Sequence, residues 1–192
     1  MRIFIIVLVL IFSFQTLSKA NKITEFEIEG MTLGHSALDY FSKSVIKNYE
    51  ENYYKNKKYS TATIRSDKFQ TYDAVQISYR TKDKNFILVD ISGIKDMEYE
   101  ECLNEIEESG KEFSNIFKKA EFFPISTYEH ASDPTGESLV SDLLWKFNNG
   151  DVLILACYEW KGSYAVEKEY VDEIRVTIGS KEFDDFLIND AY

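Results

Sequence analysis

The chain has 192 residues, 29% of them charged, with 33 acidic side chains against 22 basic ones. A net charge of −11 repels phosphate, which excludes a nucleic-acid binder or an anionic-lipid binder working by general electrostatics. Two prolines and a 15% aromatic content belong to a folded globule and not to a disordered chain.

The chain opens "MRIFIIVLVLIFSFQTLSKANK". Arg2 is a short positive region, and Ile3 to Phe14 is apolar apart from Ser13. Ser18 and Ala20 then stand at the small-residue positions of a cut after Ala20, the pattern of a secretory signal peptide. The apolar run is shorter than the ~20 residues of a spanning helix. The expectation is a signal peptide at 1–20 and one α+β domain at 21–192, periplasmic or secreted, with no transmembrane segment after cleavage. No cysteine follows the cut, which argues against a lipid anchor. Loss of Arg2 and Lys19 takes the mature charge to −13.

Phe26, Ile28 and Met31 read as a short first strand ending at Gly30. Ser36, three residues before Asp39, marks a helix start. Leu38, Phe41, Val45, Tyr49 and Tyr53 follow at helical spacing, with Ser42-Lys43-Ser44 able to divide the segment in two. Gly30 and Gly34 enclose two bulky apolar residues, and no lysine follows until Lys43. That fits a strand exit and helix cap, not a phosphate loop. His35 reads as a polar surface residue.

Residues 59–64, 71–80 and 86–94 read as three strands. Val75, Ile77 and Tyr79 alternate with Gln76, Ser78 and Arg80. Glu98 to Lys118 is the clearest helix, with Tyr99, Leu103, Ile106, Gly110, Phe113 and Phe117 on one stripe and Cys102 beside it. Phe122 to Tyr128 is a strand, and residues 129–138 form a loop. The alternating run through Leu143, Trp145 and Phe147 enters "NNGD", a hairpin signal, and Val152 to Trp160 returns as a central strand. Residues 162–169 read as a loop. Val171, Ile174, Val176 and Ile178 supply the last strand. Ser180 caps a final helix carrying Phe183, Phe186 and Leu187.

The element order implies an α+β fold: a mainly antiparallel sheet with helices packed on one face. "IEGM" at 28–31 and "ISGI" at 91–94, each ahead of a helix, suggest two tandem helix-plus-strands units, 26–94 and 95–192. Cys102 and Cys157 are an even pair in an exported chain, hence a candidate disulfide. Cys157 shares a strand face with Leu153 and Leu155, so a helix docked there would bring the two sulfurs together. Two separate buried thiols are the alternative.

His130, Asp133 and Glu137 are the one polar cluster with metal-binding or acid–base chemistry. Turn formation accounts equally for Asp133-Pro134-Thr135-Gly136. Tyr49, Tyr53, Tyr54 and Tyr59 could form a stacking platform or half-buried element edges. No Walker loop, Rossmann fingerprint, HExxH or nucleophile elbow occurs. No catalytic residue, metal or cofactor is assigned.

The stretches "FEIEGMTLGHSALDYF", "TYDAVQISYR", "DISGI" and "EFDDFL" resemble a family of small exported bacterial proteins with no assigned function, so the resemblance implies no activity. More distantly, "GMTLGHSALDYF" is similar to the helix start of periplasmic helix-plus-sheet interaction modules of the outer-membrane-assembly lipoprotein and β-lactamase-inhibitor kind. The lipid-attachment cysteine of the former is missing here. The expected function is a non-enzymatic module docking an envelope or secreted protein through its sheet face. The alternatives are a small-ligand binder with an aromatic cleft and a metal-assisted hydrolase using the 130–137 loop.

Overall fold

Alternating apolar and polar residues in most of the strand-forming runs give one open eight-stranded antiparallel sheet, ordered β1-β2-β3-β4-β8-β7-β6-β5. This is a computed structural model, and it describes Ile23, residues 26–51 and residues 54–191. The expected signal peptide at 1–20, the expected mature start at Asn21, and Tyr53 lie outside those residues. The strands are β1 (Glu50–Glu51), β2 (Tyr59–Arg65), β3 (Ala74–Arg80), β4 (Leu88–Asp96), β5 (Glu121–Glu129), β6 (Leu139–Lys146), β7 (Val152–Glu159) and β8 (Glu173–Gly179). The α-helices are α1 (Lys43–Asn48), α2 (Tyr99–Ile116), α3 (Gly162–Lys168) and α4 (Lys181–Asn189), with a 3₁₀ turn at Ala37–Asp39. The fold is α+β, as the order of elements implies.

Two meanders make the sheet. β2, β3 and β4 form one, and β5, β6, β7 and β8 the other. Their last strands pair at the centre, Ile91 opposite Ile178 and Gly93 opposite Val176. The Asn-Gly signal is the β6–β7 turn, closed by Phe147 N–H to Asp151 O at 2.9 Å and Gly150 N–H to Phe147 O at 2.8 Å.

One sheet face is covered. Its side chains include Ile77, Ile91, Leu143, Trp145, Leu155 and Val176, all buried. They meet Cys102, Ile106 and Phe113 from α2, together with Phe26, Ile28 and Met31 from the N-terminal segment. The helical stripe expected over 98–118 is the stripe that docks. The opposite face receives α4 at one end only. There Phe183 meets Tyr59 edge-to-face at 5.1 Å between ring centres, Phe186 packs on it tilted at 4.8 Å, and Glu182 pairs with Arg80.

Three local expectations differ. Residues 26–31 are not a strand: Ile28 and Met31 pair with each other across Glu29-Gly30, both with positive φ, a tight turn. The Glu29 carboxylate then accepts the N–H groups of Gln70, Thr71 and Tyr72 at 2.7–3.1 Å, which fastens the loop ahead of β3. Gly34 and Ala37 continue past this turn by donating to Leu88 and Phe86. "IEGM" is therefore a turn, while "ISGI" is the middle of β4. Residues 162–168, read as a loop, are α3. This helix is short, starts at a glycine and lacks a side-chain cap, so periodicity and capping both missed it. Ser180 does precede α4, but its hydroxyl makes no cap bond. The division at Ser42 holds, with Ser36 capping the 3₁₀ turn and Ser42 capping α1.

Candidate functional site

The face that α2 does not cover is where the sheet offers chemistry. Pleating sends most Ile and Val of β3, β4 and β8 to the core, and sends their mainly polar neighbours to this side, with Ile94 and Val89 of β4 among them. Strand register sets Thr63, Gln76, Ser92, Thr177, Ile154 and Leu144 side by side in one row. The next row holds Ile94, Arg175, Ala156 and Asp142. Cross-strand hydrogen bonds tie the polar members together. Gln76 donates to Thr63 at 2.9 Å, and the Ser92 and Thr177 hydroxyls lie 2.8 Å apart.

Arg175 is the centre of this surface. Its guanidinium carbon lies 4.2 Å from the middle of the Tyr158 ring. Nε donates to Glu173 at 2.6 Å, and a terminal nitrogen reaches Gln76 at 3.4 Å. Arg175 is half-buried and Glu173 buried, so the charge is held flat against the sheet. Such a fixed guanidinium loses little freedom when a partner covers it.

Two structures flank the row. At one end stands α4. At the other stand the loop 129–138 and α3, through an aromatic cluster. Trp160 lies 4.5 Å from His130 and 4.4 Å from Tyr170, ring centre to ring centre, and stacks at 5.8 Å with Tyr158. The surface between them is a broad face, not an enclosed cavity.

Burial shifts the acids and bases around it. Asp90, 6% exposed, is pushed up to about 7 by burial and by Asp184, with Arg175 opposing. Burial also raises Asp142, against a hydrogen bond from Tyr128. His130 falls to about 4 because burial and then Arg175 disfavour its cation, outweighing Asp133.

The loop residues singled out in sequence are used structurally. His130 Nδ1 accepts from the Ser132 N–H at 3.3 Å and lies 2.9 Å from the Ser132 hydroxyl. Asp133 is buried and saturated: Thr135 donates to one carboxylate oxygen from both N–H and hydroxyl, and the Ser138 N–H to the other. Burial alone would raise this carboxyl; the bonds from Ser138 and Thr135 overcome it and hold it well below the usual range. Glu137 lies against Gly162, where any Cβ would collide with its carboxylate. Among the described residues no three His, Cys, Asp or Glu side chains converge on a metal position. Tyr54 and Tyr59 are buried under α4, while Tyr49 is exposed.

Two open depressions lie elsewhere. One of about 550 Å³ is lined by Arg65, Asp67, Phe69 and Tyr72. One of about 310 Å³ lies beside the start of α4, between Leu33, Arg80 and Ser180. Cys102 and Cys157 form a disulfide beneath the covered face, with Cα atoms 5.8 Å apart. No helix among the described residues is long and apolar enough to cross a membrane. Sequence reasoning missed Arg175 and Asp90. Alternation in "EIRVTIG" was the available signal, since it sends Arg175 and Thr177 to the side opposite Ile174, Val176 and Ile178. No family model, curated protein or solved structure matches the chain.

Proposed function

We propose that this is an exported, non-enzymatic interaction module that docks a protein on the uncovered face of its sheet. The observation that carries this reading is the central Arg175, clamped by Tyr158, Glu173 and Gln76 amid a hydrogen-bonded polar row. A core wants aliphatic residues at these positions. A broad, preorganised, mixed polar and aromatic face instead suits a protein surface, where Arg and Tyr are favoured anchors. The saturated Asp133 speaks against the hydrolase alternative, since a carboxylate holding three donors is poorly placed to take a metal.

The test uses photo-crosslinking residues placed at Thr63 and Thr177, on the face, and at Glu107, on the solvent side of α2. In the exporting cell's envelope the face positions should form adducts with one partner and Glu107 should not. Arg175→Glu should abolish the adducts. Adducts at Glu107 alone, or a tightly co-purifying small molecule, would remove this reading. N-terminal sequencing of envelope or secreted material should begin at Asn21; an intact Met1 in the cytoplasm would remove export.

A further inference from the structure

The sheet ends in two unlike edges. β1 is two residues long. β5 is nine residues long, has β6 as its one strand neighbour, and is exposed at every position. Natural edges of this length are blunted by charges, prolines or bulges. Here Pro124 and a register shift between Phe123 and Ser126 interrupt the first half only. Ser126 to Glu129 runs in regular register with Asp142 to Leu139, free of proline, glycine and lysine.

The side chains on this edge are unusual as well. Phe122, Phe123, Ile125 and Tyr128 are each 42–50% exposed. Glu121 and Glu129 close the strand at its two ends, and neither makes an ion pair among the described residues. Apolar side chains between two carboxylates, on an edge with unpaired backbone groups, describe the complement of a particular strand.

We propose that β5 is a strand-addition site for an extended segment of a partner protein, apolar at alternate positions and carrying a basic residue at each end. Main-chain pairing supplies the affinity, mostly along 125–129, and the side chains set the choice. A second copy is the poorer occupant. Antiparallel self-pairing about Ile125 sets Glu121 against Glu129 at both ends, and like charges directly opposite destabilise a ladder. Each copy also carries a net charge of −11 or more negative. β5 lies three strands from the Arg175 strand and meets that face only at its β6 border, where Tyr128 donates to Asp142 at 2.7 Å, so either site can fail alone.

The probes are two nine-residue peptides alternating Val and Thr, one with lysine at both ends and one with glutamate. Amide shifts and titration with the purified protein read binding. The lysine peptide should bind, shift amides at 125–129, and weaken as salt rises. Ile125→Lys, at an exposed position, should cost about tenfold in affinity or more with the melting temperature unchanged. Glu121→Lys with Glu129→Lys should exchange the preference to the glutamate peptide. Arg175→Glu should change nothing. No binding, equal binding of both peptides, or shifts around Arg175 in β8 with none along 125–129 would overturn the proposal. A dimer in sedimentation that Ile125→Lys dissolves would overturn it in favour of a second copy.

Discussion

Cys102, in the first turn of α2, is bonded to Cys157 in β7 across 55 residues of chain, and both are fully buried. The bond joins the helix to the strand face that carries Leu153 and Leu155, so it acts at the main layer contact of the domain. Closing a loop of this size restricts the unfolded chain. Replacing both cysteines with alanine should cost ~2–4 kcal/mol by that account, read from denaturant unfolding, with the slope rising as the unfolded chain loosens. Thiol labelling should find none in the native protein and two after unfolding and reduction. Labelling of both thiols in protein taken from the envelope would contradict the bond.

Helix docking was legible because two independent patterns had to agree. The stripe through Tyr99, Ile106 and Phe113 fixed which side of α2 is apolar, and the alternation of Leu153, Leu155 and Cys157 fixed which side of β7 receives it. The hairpin was legible from Asn-Gly alone. The turn at 28–31 was not, because its closing residues are apolar and its stabilising partner, Glu29 with the 70–72 amides, is distant in sequence. The loop cluster shows the local side of the same point. His130 and Asp133 are close in sequence and bond within their own loop, and Glu137 lies against Gly162 at the start of α3. Arg175 and Tyr158 come from two strands, and only the register of β7 with β8 brings them together.

Asp90 and His130 should pull the pH dependence of stability in opposite directions. Asp90 in the fold sits near 7, above an unfolded carboxyl near 4. Its protonated form favours the fold, an advantage complete below about pH 4 and lost as pH rises through about 7. His130 in the fold sits near 4, below an unfolded imidazole near 6.5. Its neutral form favours the fold, an advantage present above about pH 6.5 and lost as pH falls through about 4. Between those limits the two offset each other. Asp90→Asn should therefore stabilise by up to about 4 kcal/mol near pH 8, gain little near pH 4, and leave stability falling on acidification. His130→Phe should produce the reverse slope. Parallel slopes in both variants would show that other groups dominate.

Gly93 lies inside β4 and Gly110 inside α2, both turned to the covered layer, but they should respond differently to alanine. A Cβ on Gly93 would stand 2.5 Å from the ring of Tyr72. That ring cannot retreat easily, because the Tyr72 N–H is held by Glu29 at 3.1 Å and the ring lies over the sheet in the covered layer. A Cβ on Gly110 would stand 2.6 Å from Cδ1 of Leu143, the far end of a side chain that can turn. Alanine also favours a helix over glycine by ~1 kcal/mol, which offsets part of the crowding there. Gly93→Ala should cost ~1–3 kcal/mol, the range for an overfilled core. Gly110→Ala should stay within about 1 kcal/mol of the parent. The cause can be isolated with Tyr72→Leu: in that background Gly93→Ala should lose most of its cost. A penalty that persists without the ring would place the strain in the β4 backbone instead.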